Sequence, residues 1–292
     1  YVIPAGAWLA PGGFQVFSLS DTRKVDEDGV TFKSHIDGST RRLTPESSIQ
    51  VQQQLGADII MAFDECATPD DRNYIERAMQ RTHRWAERCL QAKTRPDQAL
   101  FGIVQGGIYP DFRARSAEFI ASLGFPGHAI GGLSVGESKA DMHAMLEVVN
   151  PLLPEHKPRY LMGVGSPEDL IHGILRGVDL FDCVLPTRLA RHHAAMTFTG
   201  RLNMMNASFS RDPRPMDEHC TCYTCQSFSR AYIRHLIAAR EMLSATLISI
   251  HNIHTLLEIA RRARQAIFDH RYSEFCAEFL ANWHHRTSKG DV

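Results

Sequence analysis

The chain has 292 residues, of which 43% are hydrophobic and 22% are charged. This balance is typical of a globular protein with a large core and excludes a disordered chain. No run approaches 18 uncharged apolar residues, and the first residues, YVIPAGAWLAPGG, lack the basic start and apolar core of a signal peptide, so we expect a cytoplasmic protein. Seven cysteines are an odd number and too few for a disulfide framework, which favours reduced thiols.

Charge is distributed unevenly along the chain, although the net charge is only -1. Residues 1–185 carry 18 Lys and Arg against 24 Asp and Glu, whereas residues 186–292 carry 14 against 9. The basic C-terminal third suits a nucleic acid or another polyanion. An ordinary solvated surface explains the same imbalance equally well, so charge alone leaves both interpretations open.

Short β-rich runs alternate along the chain with longer stretches of helical periodicity. The predicted strands lie at 6–10, 58–63, 100–104, 128–133, 159–164, 178–184 and, more weakly, 246–252. The predicted helices lie at 70–92, 110–123, 138–149 and 166–177, the last with Ser166 as its N-cap. This alternation predicts a parallel sheet. Seven strands leave two candidates, a (β/α)8 barrel that lacks one strand and an open doubly wound sheet.

Two segments interrupt this alternation and are predicted to be insertions. The segment 14–44 contains alternating runs and the turn signals DEDG and DGS, which predict an antiparallel hairpin. The segment 196–225 begins with MTFTGRLNMMN, a predicted hairpin that turns at Thr199 and Gly200, and ends in a group of cysteines.

Polar residues or glycines follow most of the predicted strands. They are Asp64 and Glu65, Gln105 to Gly107, Gly131 and Gly132, Gly163 and Gly165, and Asp182. A single Asp after a strand is more often a cap or turn residue than a catalyst. Five such strand ends on one rim favour a pocket with two carboxylates and an amide, because the active site of a barrel lies at the carboxyl ends of its strands.

The stretch HCTCYTC at 219–225 places three cysteines close enough to share one ion. Soft thiolate ligands favour zinc, and three free thiols on a loop are the less favoured interpretation. His219 is adjacent but awkwardly placed as a fourth ligand, and His251 and His254 are the other candidates, between which spacing does not choose. A site filled by four protein ligands has no open position for water and would be structural.

Several long motifs occur together in one order, and each is similar to a motif of the queuine tRNA-ribosyltransferase (tRNA-guanine transglycosylase) family, with a bacterial character. They are GGFQVFSLS (12–20), FGIVQGG (101–107), IGGLSVGE (130–137), RYLMGVGSPEDL (159–170), FDCVLPTR (181–188), DEHCTCYTCQSFSRAYIRHL (217–236) and IHN (250–252). The resemblance extends from about residue 12 to residue 285. It implies an irregular (β/α)8 TIM barrel, here N-terminally incomplete, with a C-terminal zinc-binding subdomain.

The resemblance also implies an activity, the exchange of guanine at the wobble position of GUN-anticodon tRNAs for a modified deazaguanine in queuosine biosynthesis. Asp182 matches the nucleophile that attacks ribose C1′ and forms a covalent intermediate with tRNA. The residues that match the base pocket are Phe14, Asp64, Gln105, Gly132 and Met162. Cys66, in the sequence FDEC, resembles bacterial members that take 7-aminomethyl-7-deazaguanine (preQ1) rather than queuine.

The same resemblance assigns the ligands and the partners. His251 matches the fourth ligand of one structural Zn²⁺, with Cys220, Cys222 and Cys225. Arg188 and Arg191 correspond to the region that faces the anticodon loop, although TRLARHH departs from the family's usual sequence there. A homodimer is implied, as is a single barrel domain over 1–292 with a hairpin insertion at about 14–44 and a zinc subdomain at about 196–255.

The largest departure from the family lies near the start of the chain. Ala10, in APGGFQ, stands where the family has a second catalytic aspartate that serves as general acid and base. The chain begins with Tyr1, and we expect a processed, trimmed or incomplete sequence, or else a true variant. Three hypotheses follow, namely an active transglycosylase, a noncatalytic tRNA-binding subunit, and an unrelated barrel hydrolase with a metal-bound water.

Overall fold

A computed structural model of the chain describes residues 23–34, 36–67 and 71–287. These residues form two compact units. The first contains the described residues up to Val164 together with Arg176–Phe181, and the second contains Gly165–Leu175 and the described residues from Asp182 onwards. The predicted strand at 6–10, Phe14 and Ala10 lie outside the described residues.

The first unit begins with a three-stranded antiparallel sheet of β1 (Arg23–Val25), β2 (Val30–Lys33) and β3 (Thr40–Leu43). The turn between β1 and β2 is fixed by Asp26, whose Oδ1 accepts hydrogen bonds from the main-chain N–H groups of Asp28 and Gly29. This sheet confirms, for the part of 14–44 that is described, the predicted antiparallel excursion.

A five-stranded parallel sheet forms the centre of the first unit. Its strands are β4 (Ile59–Met61), β5 (Ala99–Val104), β6 (Gly127–Ile130), β7 (Arg159–Leu161) and β8 (Leu180–Phe181), and they pair in this sequential order. Each new strand is therefore added on the same side of the previous one, as in a (β/α)8 barrel, whereas a doubly wound sheet reverses direction. The sheet is a curled half-barrel, and the doubly wound alternative is wrong.

Helices of the first unit cover one face of this sheet. They are α1 (Pro45–Leu55), α2 (Arg72–Ala92), α3 (Pro110–Ser122) and α4 (Lys139–Val149), followed by a 3-10 turn at Asn150–Leu152. Helix α1 was not predicted, whereas the other three lie where the sequence predicted them, and helix α2 shows why. Its N-cap Asp71 accepts from the N–H groups of Asn73 and Tyr74, and a buried stripe runs from Ile75 to Cys89 at spacings of three and four residues.

Both faces of the parallel sheet are buried. On the helical side, Ile60, Leu100 and Leu161 pack in the largest apolar cluster, together with Trp85 and Ile120 from the helices. The opposite side carries a smaller cluster of Met61, Phe101, Ile103, Ala129 and Tyr160. Burial on both faces explains why these strands read in the sequence as continuous apolar runs rather than as alternating patterns.

The second unit is mainly helical. Its elements are α5 (Pro167–Leu175), α6 (Leu185–Arg191), the hairpin strands β9 (Ala194–Thr197) and β10 (Gly200–Asn203), a 3-10 turn (Ala207–Arg211), α7 (Tyr223–Ser227), α8 (Arg230–Ala238), α9 (Leu243–Phe268) and α10 (Tyr272–Thr287). Antiparallel pairing of Thr197 with Gly200 confirms the predicted hairpin. Ser166 accepts a hydrogen bond from the N–H of Asp169 at 3.2 Å, which confirms its role as a cap.

The weak strand predicted at 246–252 is wrong, because these residues lie inside helix α9. Buried positions in this helix recur at Leu247, Ile248, His251, Asn252 and Thr255, which is the spacing of a helix face. The apolar run TLISI resembles a strand when it is read alone, and only its continuation over 26 residues identifies the helix. No helix among the described ranges is long and apolar enough to cross a membrane.

Candidate functional site

The carboxyl ends of β4, β5 and β6 bring together three of the predicted pocket residues. Gln105 is 3% exposed, and its Nε2 donates a hydrogen bond of 2.6 Å to Oδ2 of half-buried Asp64. Its Oε1 lies so close to Gly132 that a Cβ added there would stand 2.2 Å from it. Gly132 also has φ +63°, a conformation that favours glycine. The three residues therefore form one packed group with a carboxylate and an amide.

Met162 follows β7 directly, and its N–H donates to the carbonyl of Ile130 at 3.2 Å. Its partly buried side chain packs against the apolar cluster of Phe101 and Tyr160 on the face of the sheet opposite the helices. Met162 thus continues the same row of strand ends. Phe14, the predicted stacking residue, lies outside the described residues.

Glu65, next to Asp64, is held by a network that the sequence did not predict. Its carboxylate is 4% exposed, accepts a hydrogen bond of 2.5 Å from the Tyr74 hydroxyl and forms an ion pair with Arg81. Its main-chain N–H donates to Thr82 Oγ1 at 3.0 Å. Burial and the neighbouring carboxylate raise the pKa of Tyr74 to about 12, so the phenol stays protonated as the donor. The network fixes the chain on one side of Asp64.

Cys66 is buried beside the same loop. Burial raises the pKa of its thiol to about 12, and the nearby charge of Asp64 adds to this rise. A thiol with this pKa is protonated at neutral pH and is a poor nucleophile. Cys66 is therefore part of the lining of this region rather than a reactive group.

Helix α3 contributes two further residues that sequence reasoning missed. Ser116 Oγ accepts a hydrogen bond of 3.1 Å from the N–H of Gln105 and lies 3.1 Å from Nε2 of His83. Arg113 is fully buried, and its guanidinium donates to main-chain carbonyls after β5 and β6. In the sequence FRARS no signal distinguished Arg113, because an arginine in a helix is usually solvated.

Asp182 belongs to the second unit and is the residue that follows β8. Its side chain is exposed. The next residue, Cys183, accepts a hydrogen bond of 3.2 Å on its sulfur from the N–H of Leu185, at the start of α6. Arg188 and Arg191 lie in the last turn of α6, and both are exposed. The second unit therefore presents one carboxylate and two cations to solvent within ten residues.

Four predicted metal ligands come together in the second unit. The ligand atoms of Cys220, Cys222, Cys225 and His251 all lie within 4.8 Å of one another, and three of these residues are buried. Nδ1 of His251 lies 3.5 Å, 3.6 Å and 3.3 Å from the three sulfurs in chain order. A tetrahedral ion with bonds of about 2.3 Å to sulfur and about 2.0 Å to nitrogen would separate S and N by roughly 3.6 Å. The cluster could hold such an ion.

The surrounding contacts select His251 among the histidines left open by the spacing. Its ring is fully buried, and Nε2 donates to the carbonyl of Met196 at 2.7 Å, which directs Nδ1 at the sulfurs. His254 Nε2 instead lies 3.5 Å from Thr221 Oγ1, and His219 is outside the group. Hydrogen bonds from Cys220 and Cys225 lower the pKa of Cys222, which favours the thiolate that a metal needs.

The fold and these groups define an α/β enzyme of the barrel type, with polar strand ends at its sheet and a Cys3His cluster on a helical unit. A family model described as queuine tRNA-ribosyltransferase matches residues 5–285. Proteins named queuine tRNA-ribosyltransferase from Herpetosiphon aurantiacus, Bacillus subtilis and Halothermothrix orenii are 59%, 56% and 55% identical to the chain. The matches cover 93%, 93% and 95% of the chain and 70%, 72% and 74% of these relatives.

The chain belongs to the queuine tRNA-ribosyltransferase family. It is accordingly an enzyme of the pentosyltransferase class, and the resemblance found in its motifs is confirmed. The hypothesis of an unrelated barrel hydrolase is wrong.

Proposed function

We propose that the chain is a tRNA-guanine transglycosylase that exchanges the wobble guanine of GUN-anticodon tRNAs for preQ1, a step of queuosine biosynthesis. The observation that carries this proposal is the hydrogen-bonded pair of Asp64 and Gln105 beside the main chain of Gly132, in a member of this family. A carboxylate acceptor and an amide donor suit the polar edge of a purine. Gly132 has no side chain, so its main chain can approach a flat base closely.

Asp182 is the proposed nucleophile. One carboxylate oxygen forms a bond to ribose C1′ as the bond from C1′ to guanine N9 breaks, and the electron pair of that bond leaves with the base. The incoming preQ1 then forms a bond from N9 to C1′ and releases the carboxylate. The exposed side chain of Asp182 is open to a macromolecular substrate, which supports this role.

The departing base takes up a proton, and the incoming base gives one up at N9. The methyl group of Ala10 performs neither transfer, because it has no titratable atom. A second candidate function therefore follows from Ala10. The chain would be a catalytically impaired or noncatalytic subunit that still binds tRNA. It predicts tRNA binding without exchange.

Further residues receive proposed roles in substrate binding. Phe14 offers a stacking face for the base, and Met162 an apolar contact at the end of β7. Arg188 and Arg191 provide cations for the backbone of the anticodon loop, and their exposure on one helix turn supports this role. Cys66 in FDEC, together with the bacterial relatives, supports preQ1 rather than queuine as the incoming base.

One structural Zn²⁺ is the proposed metal, held by Cys220, Cys222, Cys225 and His251. Soft thiolates with one imidazole favour zinc, and the distances between ligand atoms fit its tetrahedral geometry. Four protein ligands complete the coordination, so the ion supplies stability to the fold and no water for chemistry.

A homodimer is the proposed assembly. Next to the metal ligands, Phe228 stacks on Tyr232 at 5.2 Å and meets Tyr223 edge-on at 5.7 Å, and the two tyrosines are exposed. An exposed aromatic group of this kind is typical of protein interfaces. The proposed organisation is a single barrel domain with a hairpin insertion at about 14–44 and a zinc subdomain at about 196–255, and the tRNA substrate implies the cytoplasm.

The test is exchange of labelled guanine into a GUN-anticodon tRNA by the wild-type chain and by Asp182→Asn. We expect exchange by the wild type, a loss of at least about a thousandfold in Asp182→Asn, and a denaturant-stable protein–RNA adduct only with the carboxylate present. Asp97→Asn, which removes an exposed carboxylate paired with Arg95, serves as the control and should keep its activity. Retention of exchange by Asp182→Asn would remove Asp182 as nucleophile.

Ala10→Asp separates the two candidate functions. Exchange by the wild-type chain would exclude the noncatalytic subunit. Exchange only after Ala10→Asp, with tRNA binding equal in both proteins, would establish a binding subunit that lacks the acid.

A further inference from the structure

Arg113, in helix α3, carries a buried charge in an unusual setting. It is 0% exposed, and four described hydrogen bonds of its guanidinium all go to main-chain carbonyl oxygens. Nε donates to Gly107 at 2.7 Å, Nη1 to Gly131 at 2.7 Å and Val104 at 3.2 Å, and Nη2 to Gly132 at 3.0 Å. A buried cation is costly unless its N–H donors are satisfied. Here the planar guanidinium donates to carbonyl oxygens in the loop after β5 and in the loop after β6.

These contacts connect two strand ends. Val104 ends β5, Gly107 lies in the loop that follows it, and Gly131 and Gly132 follow β6. Gly107 and Gly132 have φ values of +59° and +63°. This backbone conformation would be strained for residues other than glycine. Arg113 therefore holds both loops in a conformation that glycine permits but does not enforce.

The direction of one peptide follows from these bonds. In a planar trans peptide the C=O and N–H groups point in opposite directions, so the N–H of Gly132 points away from Arg113 when the carbonyl of Gly131 points towards it. The side chain of Gln105 stands next to this peptide, because a Cβ added at Gly132 would lie 2.2 Å from its Oε1. Asp64 and the side chain of Gln105 lie on the same group of strand ends.

The positive charge of Arg113 also strengthens the N–H group of Gly132 as a hydrogen-bond donor. Burial lowers the pKa of Arg113 to about 10, so the guanidinium remains a cation at neutral pH. A cation bound to a carbonyl oxygen polarises the peptide and strengthens the N–H at its other end, because hydrogen bonds in a chain reinforce one another. The Gly131–Gly132 peptide is thus a strengthened and fixed donor.

We propose that Arg113 is a positioning residue that fixes the Gly131–Gly132 peptide as a hydrogen-bond donor for a carbonyl oxygen of the base, and so favours oxo-purines over purines that lack this oxygen. The inference rests on the proposed function, because it assumes that the base binds beside Asp64 and Gln105. Arg113 acts through the main chain and does not itself touch the base.

The experiment compares Arg113→Lys with the wild-type chain by equilibrium binding of guanine, of 2-aminopurine, which lacks the 6-oxygen, and of a GUN-anticodon tRNA. Lysine keeps the charge, but its single ammonium cannot span the carbonyls of both loops. We expect the dissociation constant for guanine to rise at least about tenfold, that for 2-aminopurine to change less than about threefold, and that for tRNA less than about twofold.

Two controls separate positioning from loss of stability. Ile120→Ala removes a fully buried side chain of the same helix and should lower the melting temperature without changing the preference for guanine. Arg115→Met removes an exposed arginine of this helix, paired with Glu76, and should change neither. Melting temperatures of all variants are measured beside the binding constants.

The proposal is overturned if Arg113→Lys keeps the wild-type preference for guanine over 2-aminopurine. It is equally overturned if Ile120→Ala reduces that preference as much as Arg113→Lys does. Exchange of labelled guanine by the wild-type chain is measured separately. Guanine binding without exchange would count against the proposed function alone and would leave the role of Arg113 standing.

Discussion

The pocket group and the metal cluster are ordered by different chemistry. Asp64, Gln105 and Gly132 are held by hydrogen bonds among protein groups, with Arg113 behind them. The cluster instead brings three sulfurs and the imidazole of His251 within 4.8 Å, an arrangement that thiolates reach only with a cation to balance their charge. The pocket group is thus held by hydrogen bonds of the folded chain alone, whereas the cluster, as the proposed zinc site, would draw its stability from a bound ion.

The largest expected effect concerns the metal cluster. Cys225→Ala should abolish metal binding and unfold the helices around the cluster, because a structural zinc contributes about 10–16 kcal/mol against a total stability of about 5–15 kcal/mol. Metal content should fall from one ion per chain to none, and hydrogen exchange should accelerate over 223–252. The parallel sheet, which contains none of the four ligands, should keep more of its protection.

The matched control is Cys276→Ala, which removes another buried thiol of the second unit from an apolar cluster with Ile259 and Trp283. It should cost only about 1 kcal/mol and retain the ion. Full exchange protection over 223–252 in metal-free Cys225→Ala would contradict the dependence on an ion.

The second prediction concerns the pocket group of Asp64, Gln105 and Gly132. Gly132→Ala should weaken guanine binding by at least about tenfold, because the added methyl would stand 2.2 Å from Gln105 Oε1 at a φ of +63°. Gly124→Ala has a similar φ of +76° but no atom within 4 Å of its added Cβ. Both changes carry the backbone penalty of about 1–2 kcal/mol, so only the collision differs between them. Equal guanine affinity in the two variants would show that Gln105 does not shape the pocket.

The third prediction compares two buried histidines. His251 uses both ring nitrogens, whereas neither ring nitrogen of His128, in β6, has a hydrogen-bond partner among the described residues. Burial lowers the pKa of His128 to about 4, with help from Lys157, Arg159 and His156. The unfolded chain therefore binds this proton first as the pH falls, and the free energy of unfolding decreases between about pH 6.5 and pH 4.

By pH 5 this loss should reach about 2 kcal/mol from His128. Denaturant unfolding from pH 7.5 to 5 measures this loss. His128→Leu should reduce the pH dependence of the free energy of unfolding by the part that His128 contributes. Part of the slope will remain, because burial also lowers the pKa of the partly exposed His83 to about 4. An unchanged slope in His128→Leu would mean that His128 is protonated equally in both states.

The sequence predicted the parallel sheet well because each strand is a short apolar run that ends in a polar residue or glycine, as at Asp64 and Gln105. It failed at 246–252, where apolar residues at helical spacing also alternate over a short window. The sequence did not identify Arg113, since its hydrogen-bond partners are main-chain carbonyls, which every residue possesses. Choosing His251 as fourth ligand required the family resemblance, because spacing did not distinguish it from His254.

Helix α9 carries two adjacent side chains that hold strand β9 from its other edge. His251 Nε2 donates to the carbonyl of Met196, while Oδ1 of Asn252 accepts from its N–H at 2.7 Å and Nδ2 donates to Ala194 and Pro186. An insertion of one residue ahead of them would rotate both by about 100° and advance them by about 1.5 Å. Natural length variation should therefore collect in the exposed turn around Arg240 and Met242, and be absent from the first ten residues of the helix.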